Sequence, residues 1–114
     1  MTFLNALKIL AAVGTLAAGV ISIVSPPSAE RFTGLTAAGP RGTSEIRAVL
    51  GGLFVGLGIA VLIFRSAHAF RTLGIGYLAI ALVRAASIAG DRAPTRSNWI
   101  SLVSEVVLGV LLVL

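Results

Sequence analysis

The chain has 114 residues, of which 57% are hydrophobic and only 11% charged, with a net charge of +5. A soluble domain carries about 25% charged residues, so there are too few charges here to cover a surface facing water, whereas lipid accepts Leu, Val and Ile on the outside. The absence of cysteine excludes disulfides, thiol redox chemistry and thiolate metal sites.

The composition predicts an integral membrane protein. The expected fold is all-α: a four-transmembrane-helix antiparallel bundle forming one domain over 1–114. The first apolar segment, about 2–24, is long enough to cross a hydrocarbon core of about 30 Å. Lys8 interrupts its apolar run and no small-x-small cleavage site follows, so it reads as a retained helix and not a signal peptide. Pro26 and Pro27 end it. The loop 25–42 is rich in Pro and Gly. Within it, the run from Ser28 to Leu35 fits either a short interfacial helix with Phe32 and Leu35 towards lipid, or an irregular loop.

The second helix is predicted over about 43–64, with Thr43 or Ser44 as its cap and Glu45 in its first turn. Arg65 to Arg71 reads as a tight polar hairpin, and the third helix follows over about 70–89. Pro94 breaks the next connection. Ser97 or Asn98 then caps the fourth helix, about 97–114, with Trp99 placed as an interface anchor. Short connections make helices 2, 3 and 4 antiparallel neighbours.

Ala48, Gly52, Gly56 and Ala60 recur at intervals of four on the second helix. Such a small-xxx-small column lets another backbone approach closely, either inside one bundle or between copies. Ala11, Thr15 and Gly19 offer a shorter match on the first helix. Gly56-Leu-Gly58 and Gly74-Ile-Gly76 lie inside apolar helices with no strand before them, which excludes a dinucleotide fingerprint.

Four ionisable residues fall within the predicted spans on one side of the membrane: Glu45, Arg47, Arg84 and Glu105. A lone charge at a helix centre costs about 2.5–3.5 kcal/mol on the insertion scale, so these residues demand partners. Two glutamates and two arginines sum to zero charge, and the planar guanidinium fork suits a carboxylate. A buried network of the four is therefore expected, with Tyr77, Ser87, Ser101 and Ser104 as supporting polar groups. It would either lock the bundle or serve as a ligand or proton site. Without it, Arg47 and Arg84 would snorkel to water. Asp91 and this network are expected to engage Arg92 and Arg96. The lone His68 reads as an exposed residue at a helix boundary. Axial ligation of a haem or chlorin is the sharper alternative, which nothing else in the chain supports.

The basic residues lie between or at the ends of the apolar segments, the spacing of membrane anchors and not of a nucleic-acid face. Their counts on the two sides nearly tie, and the basic hairpin Arg65 to Arg71 tips the expectation towards both termini in the cytoplasm.

The run Glu45-Ile-Arg-Ala-Val-Leu-Gly-Gly-Leu-Phe-Val-Gly-Leu-Gly58, with the later Arg84, Asp91 and Glu105, resembles a family of small bacterial membrane proteins described only as a domain of unknown function. Leu50 stands where that family's pattern has an aromatic residue, often tyrosine. The resemblance covers most of the chain. It implies a four-helix protein of the bacterial cytoplasmic membrane and brings no activity with it.

Neither a nucleophile with its base nor a metal-ligand cluster is visible, so no enzyme, cofactor or metal is expected. The expected function is a non-enzymatic structural, accessory or self-associating subunit whose partners are the bilayer and other membrane chains, itself included. The alternative is a small oligomeric transporter or proton or ion carrier that uses the intramembrane Glu/Arg cluster.

Overall fold

The computed structural model describes residues 2–114, and the fold is all-α. Five helices follow in chain order: α1 (Phe3–Val24), α2 (Pro26–Thr33), α3 (Gly39–Phe64), α4 (Ala67–Gly90) and α5 (Arg96–Val113). All but α2 are long and apolar enough to cross a membrane. Many of their large apolar side chains point outward, among them Ile63, Leu82, Val83 and Val107. That is the surface expected of helices solvated by lipid.

Local chemistry sets the boundaries. Pro26 and Pro27 do end α1, but they also start α2. A proline in the first turn forfeits no helical hydrogen bond, and its fixed φ suits a helix start. Gly34 closes α2 in the left-handed conformation at φ 78°, its N–H donating to the Glu30 carbonyl. The helical option for this segment is thus the one realised. The Glu30 carboxylate then accepts from the Ala37 N–H at 3.1 Å and holds the following turn.

With Pro40 in its first turn, α3 starts at Gly39, four residues earlier than Thr43. Ser66 caps α4 by accepting from the Ala69 N–H at 3.1 Å, so the expected seven-residue hairpin shrinks to Arg65 and Ser66. Arg65 makes that turn at φ 47°. Thr95, not Ser97 or Asn98, caps α5 by accepting from the Asn98 N–H at 3.2 Å.

Within α3 the stretch Ile46–Leu53 is wound as a π-helix, with α-helix resuming at Phe54. Windings of this kind are mostly single-turn bulges, and eight residues is a long one. Its effect is to bring residues five apart onto one face. Ile46 and Gly51 are both buried, and the stripe continues through Gly58 and Val61.

The chain divides into two compact units. The first, Ile9–Phe64, holds most of α1 together with α2 and α3. The second consists of Met1–Lys8 and Arg65–Leu114 and contains α4 and α5. In the first unit α1 and α3 run antiparallel, since Leu16 meets Gly58 and Ile23 meets Gly51. A Cβ on Gly19 would lie 2.7 Å from the Val55 nitrogen, and one on Gly58 would lie 2.9 Å from the Leu16 nitrogen. Only glycine permits backbones this close. Two polar residues buried along α1 are satisfied by their own helix: Thr15 donates to the Ala11 carbonyl and Ser22 to the Ala18 carbonyl, both at 2.9 Å.

In the second unit α4 and α5 are likewise antiparallel. Gly74 meets Gly109 and Leu112, and a Cβ on Gly74 would lie 2.9 Å from the Gly109 carbonyl oxygen.

Of the roles open to the α3 column, packing against α1 is not the one this geometry realises. Ala48, Gly52 and Gly56 are exposed and Ala60 is only half-buried. The residues that meet α1 are Gly51, Val55 and Gly58. A four-residue repeat presumes a uniform α-helix, and the π winding moves Gly51 into the buried stripe in place of Gly52.

Candidate functional site

Arg84 lies on α4 and Glu105 on α5, and the antiparallel register of that hairpin brings them face to face. Arg84 Nε donates to Glu105 Oε1 at 2.7 Å and Nη2 donates to Oε2 at 2.8 Å, a bidentate fork. Both side chains are largely withdrawn from the surface, at 27% and 13% exposure. Nη1 points elsewhere and donates to Asn98 Oδ1 at 2.9 Å. The Asn98 amide is fixed in turn, because its Nδ2 donates to the Ala93 carbonyl at 3.0 Å.

Asn98 and Glu105 are seven residues apart, close to two helical turns, so both project from one face of α5. One guanidinium thus joins the middle of α5, the start of α5 and the turn before it to α4. Within an apolar span the pair carries no net charge, and both carboxylate oxygens have donors.

The other members of the expected quartet have partners of their own within the first unit. Glu45 pairs with Arg41 at 3.1 Å, one turn earlier on the same helix, with both side chains well exposed. Such a pair contributes about 0.3–0.5 kcal/mol. Arg47 Nη1 donates to the Ile23 carbonyl. Ile23 belongs to the last turn of α1, where carbonyls lack intrahelical donors, so the arginine caps that helix end.

The supporting residues separate similarly. Ser87 donates to Asp91 Oδ2 at 2.6 Å and so stabilises the end of α4. Ser104 is exposed and donates back to the Ile100 carbonyl at 2.8 Å. Ser101 is half-buried one turn before Glu105, and Tyr77 is half-buried two turns before Arg84. His68 is exposed in the first turn of α4.

The expected engagement of Arg92 and Arg96 is also corrected. Asp91 is occupied by Ser87, and neither arginine has an ion-pair partner among the described residues. Two contacts lay outside the expected site. Asn98 was legible only as a helix cap, although its seven-residue spacing from Glu105 marks the shared face. Lys8 is buried with its ammonium 5.8 Å from the centre of the Phe70 ring, a cation–π arrangement that lets the charge sit within an apolar segment. A lysine and an aromatic more than sixty residues apart carry no local signal of such contact.

An open groove of about 530 Å³ runs beside the fork, lined by Ala79, Ile80, Val83, Arg84, Ser87 and Asn98. Its walls are mainly apolar, and Glu105 is not among its lining residues.

The pattern of the family described as "Domain of unknown function (DUF4345)" matches residues 3–114. The chain belongs to that family. The match spans the helices just described and agrees with the resemblance carried by the run from Glu45 to Gly58. In this DUF4345 chain that run coincides with the π winding and the glycines that meet α1, and Leu50, in the place of the expected aromatic, is half-buried there. No curated protein matches the chain, and no solved structure does.

Proposed function

We propose that the protein is a non-enzymatic membrane subunit that acts by association, and that its first partner is a second copy of itself. The observation that carries this reading is the exposed column Ala48, Gly52, Gly56 and Ala60 on α3. A Cβ on Gly56 would meet nothing within 4 Å. The same helix meets α1 through a different stripe, Gly51, Val55 and Gly58. The outward column is therefore not needed for packing against α1, yet it has the spacing that lets helices approach closely in lipid. A column of this kind is self-complementary, as a two-fold interface requires.

The state of the intramembrane charges supports the same reading. Both oxygens of Glu105 are held by Arg84, and Arg47 caps α1. Arg84, Glu105 and Arg47 thus join helices, and Glu45 pairs with Arg41 on its own helix. A carrier built on Glu45, Arg47, Arg84 and Glu105 would require those groups to be presented to a substrate, and it receives less support.

Because the chain has no cysteine, single replacements give unambiguous cross-links. Gly52→Cys and Gly56→Cys in native membranes are expected to form disulfide-linked dimers on mild oxidation, with Leu57→Cys, on a neighbouring face, forming far fewer. Equal yields at all three positions, or dimers from Leu57→Cys alone, would remove the α3 column as the interface.

A further inference from the structure

We infer that α5 carries a binding site for an anionic glycerophospholipid, its head on Arg96 and an acyl chain along Ile100 and Val103. A second open groove, of about 600 Å³, is lined by Pro94, Arg96, Trp99, Ile100, Val103 and Ser104. Four of these follow one stripe of the helix at spacings of four, three and one from Arg96 onward: Arg96, Ile100, Val103 and Ser104. The groove changes character along its length. At the helix start stand an arginine and an exposed tryptophan. Ile100 and Val103 lie about 6 and 10 Å further along the axis, at 1.5 Å per residue.

That gradient is the gradient of the bilayer itself. Tryptophan concentrates at the headgroup level, so Trp99 marks the depth at which Arg96 sits. Ile100 and Val103 are both exposed, at 56% and 60%, and face the acyl region. Ser104 adds no polar demand on an acyl chain, since its hydroxyl already donates to the Ile100 carbonyl.

Charge selects the head. Arg96 is an exposed cation with no ion-pair partner among the described residues. The site therefore keeps an uncompensated positive charge. A zwitterionic head would bring its own cation to the arginine, whereas an anionic one leaves a net attraction. The phosphate oxygens also match the planar guanidinium fork. This site is separate from the Arg84 fork, where Glu105 has already cancelled the charge, and it is independent of the α3 column.

The test is a competition on the intact protein in mild detergent. Equimolar phosphatidylglycerol and phosphatidylcholine with identical acyl chains are added, and the retained adducts are counted by native mass spectrometry. The expected preference for phosphatidylglycerol is about fivefold, the effect of one arginine near a membrane surface. Arg96→Gln should bring the ratio close to one. Arg92→Gln, which changes a residue outside the groove, should leave it in place. Val103→Trp and Ile100→Trp, which fill the groove, should each reduce adducts of both lipids.

Equal retention of the two lipids by the wild-type protein would overturn the assignment, and that arm does not depend on any variant folding. So would a ratio that follows Arg92 instead of Arg96. Displacement of phosphatidylglycerol by millimolar inorganic phosphate would reduce the site to the arginine alone and overturn the acyl groove. Loss of a dimer in Val103→Trp with lipid adducts unchanged would make the occupant a second copy.

Discussion

The two helix pairs meet the same demand by different chemistry. In lipid there is little hydrophobic force between helices, so each pair must rely on close packing or polar contact. The α1–α3 pair uses close packing: Gly19, Gly51 and Gly58 bring backbone against backbone, and a cross-helix hydrogen bond from Arg47 to the Ile23 carbonyl sits at the end of α1. The α4–α5 pair uses both, with glycine contact at Gly74 and Gly109 and a charged fork at Arg84 and Glu105. Packing at glycine is graded and local. A fork is all or none, because removing one partner strands the other.

The largest effect should follow from that asymmetry. Glu105→Ala leaves the Arg84 guanidinium within an apolar hairpin with only Asn98 to accept from it. Breaking a buried pair on one side costs about 3–5 kcal/mol, and the partial exposure of Arg84 places the expected loss at the lower end. Denaturant titration in mixed micelles measures it. Replacing both partners, Arg84→Leu with Glu105→Leu, should recover most of the loss, because no charge is stranded. A double variant as unstable as the single one would show that the fork does more than neutralise itself.

The glycine contacts give a smaller effect and divide the two pairs further. A Cβ on Gly58 meets the Leu16 backbone at 2.9 Å, so α1 as a whole must move. A Cβ on Gly109 meets first the flexible Leu78 side chain, its Cγ and Cδ2 at 2.6 Å, which can turn aside, and then the Gly74 carbonyl oxygen at 3.2 Å, where a shift of a few tenths of an ångström suffices. Overpacking costs about 1–3 kcal/mol, and alanine returns about 0.8–1.0 kcal/mol of helix propensity over glycine. Gly58→Ala should therefore lose up to about 2 kcal/mol net, and Gly109→Ala should lose less, staying within about 1 kcal/mol of wild type. The same titration ranks them, and the reverse order would mean that α1 and α3 yield more easily than Leu78.

Much of this architecture could be read from the residues. Four apolar runs of membrane length, separated by proline, glycine and arginine, define four spans without reference to any contact. The Arg84–Glu105 pair was legible because two opposite charges in an apolar setting have few ways to be satisfied. The face of α3 was not, because periodicity reasoning assumes a constant winding and Ile46–Leu53 departs from it. Helix ends shifted for a related reason. Pro40, Ser66 and Thr95 are each valid start signals, and the choice between them and Thr43, Phe70 or Ser97 depends on which first-turn N–H groups find acceptors. Glu45 and Arg47 look equivalent to Arg84 and Glu105 on charge alone. What separates them is a one-turn neighbour, Arg41, and a free carbonyl at the end of α1, and neither leaves a mark in composition.

The last of these effects belongs to Asn98, and it tests how far the fork extends. Its side chain accepts from Arg84 and donates to the Ala93 carbonyl, so Asn98→Ala removes two hydrogen bonds and leaves the bidentate pair intact. The expected loss is about 1–2 kcal/mol, since Arg84 keeps its carboxylate and the site borders an open groove where other acceptors can reach Nη1. Asn98→Asp separates the two bonds. It keeps an acceptor for Arg84 and loses only the donor to Ala93, but it sets a second carboxylate against one guanidinium. If Asn98 acts mainly on Arg84, Asn98→Ala should cost measurably more in the Glu105→Ala background than in the wild type, because it then removes the last side-chain acceptor from the guanidinium. Equal costs in the two backgrounds would assign Asn98 to the turn at Ala93 alone and confine the cross-helix clamp to Arg84 and Glu105.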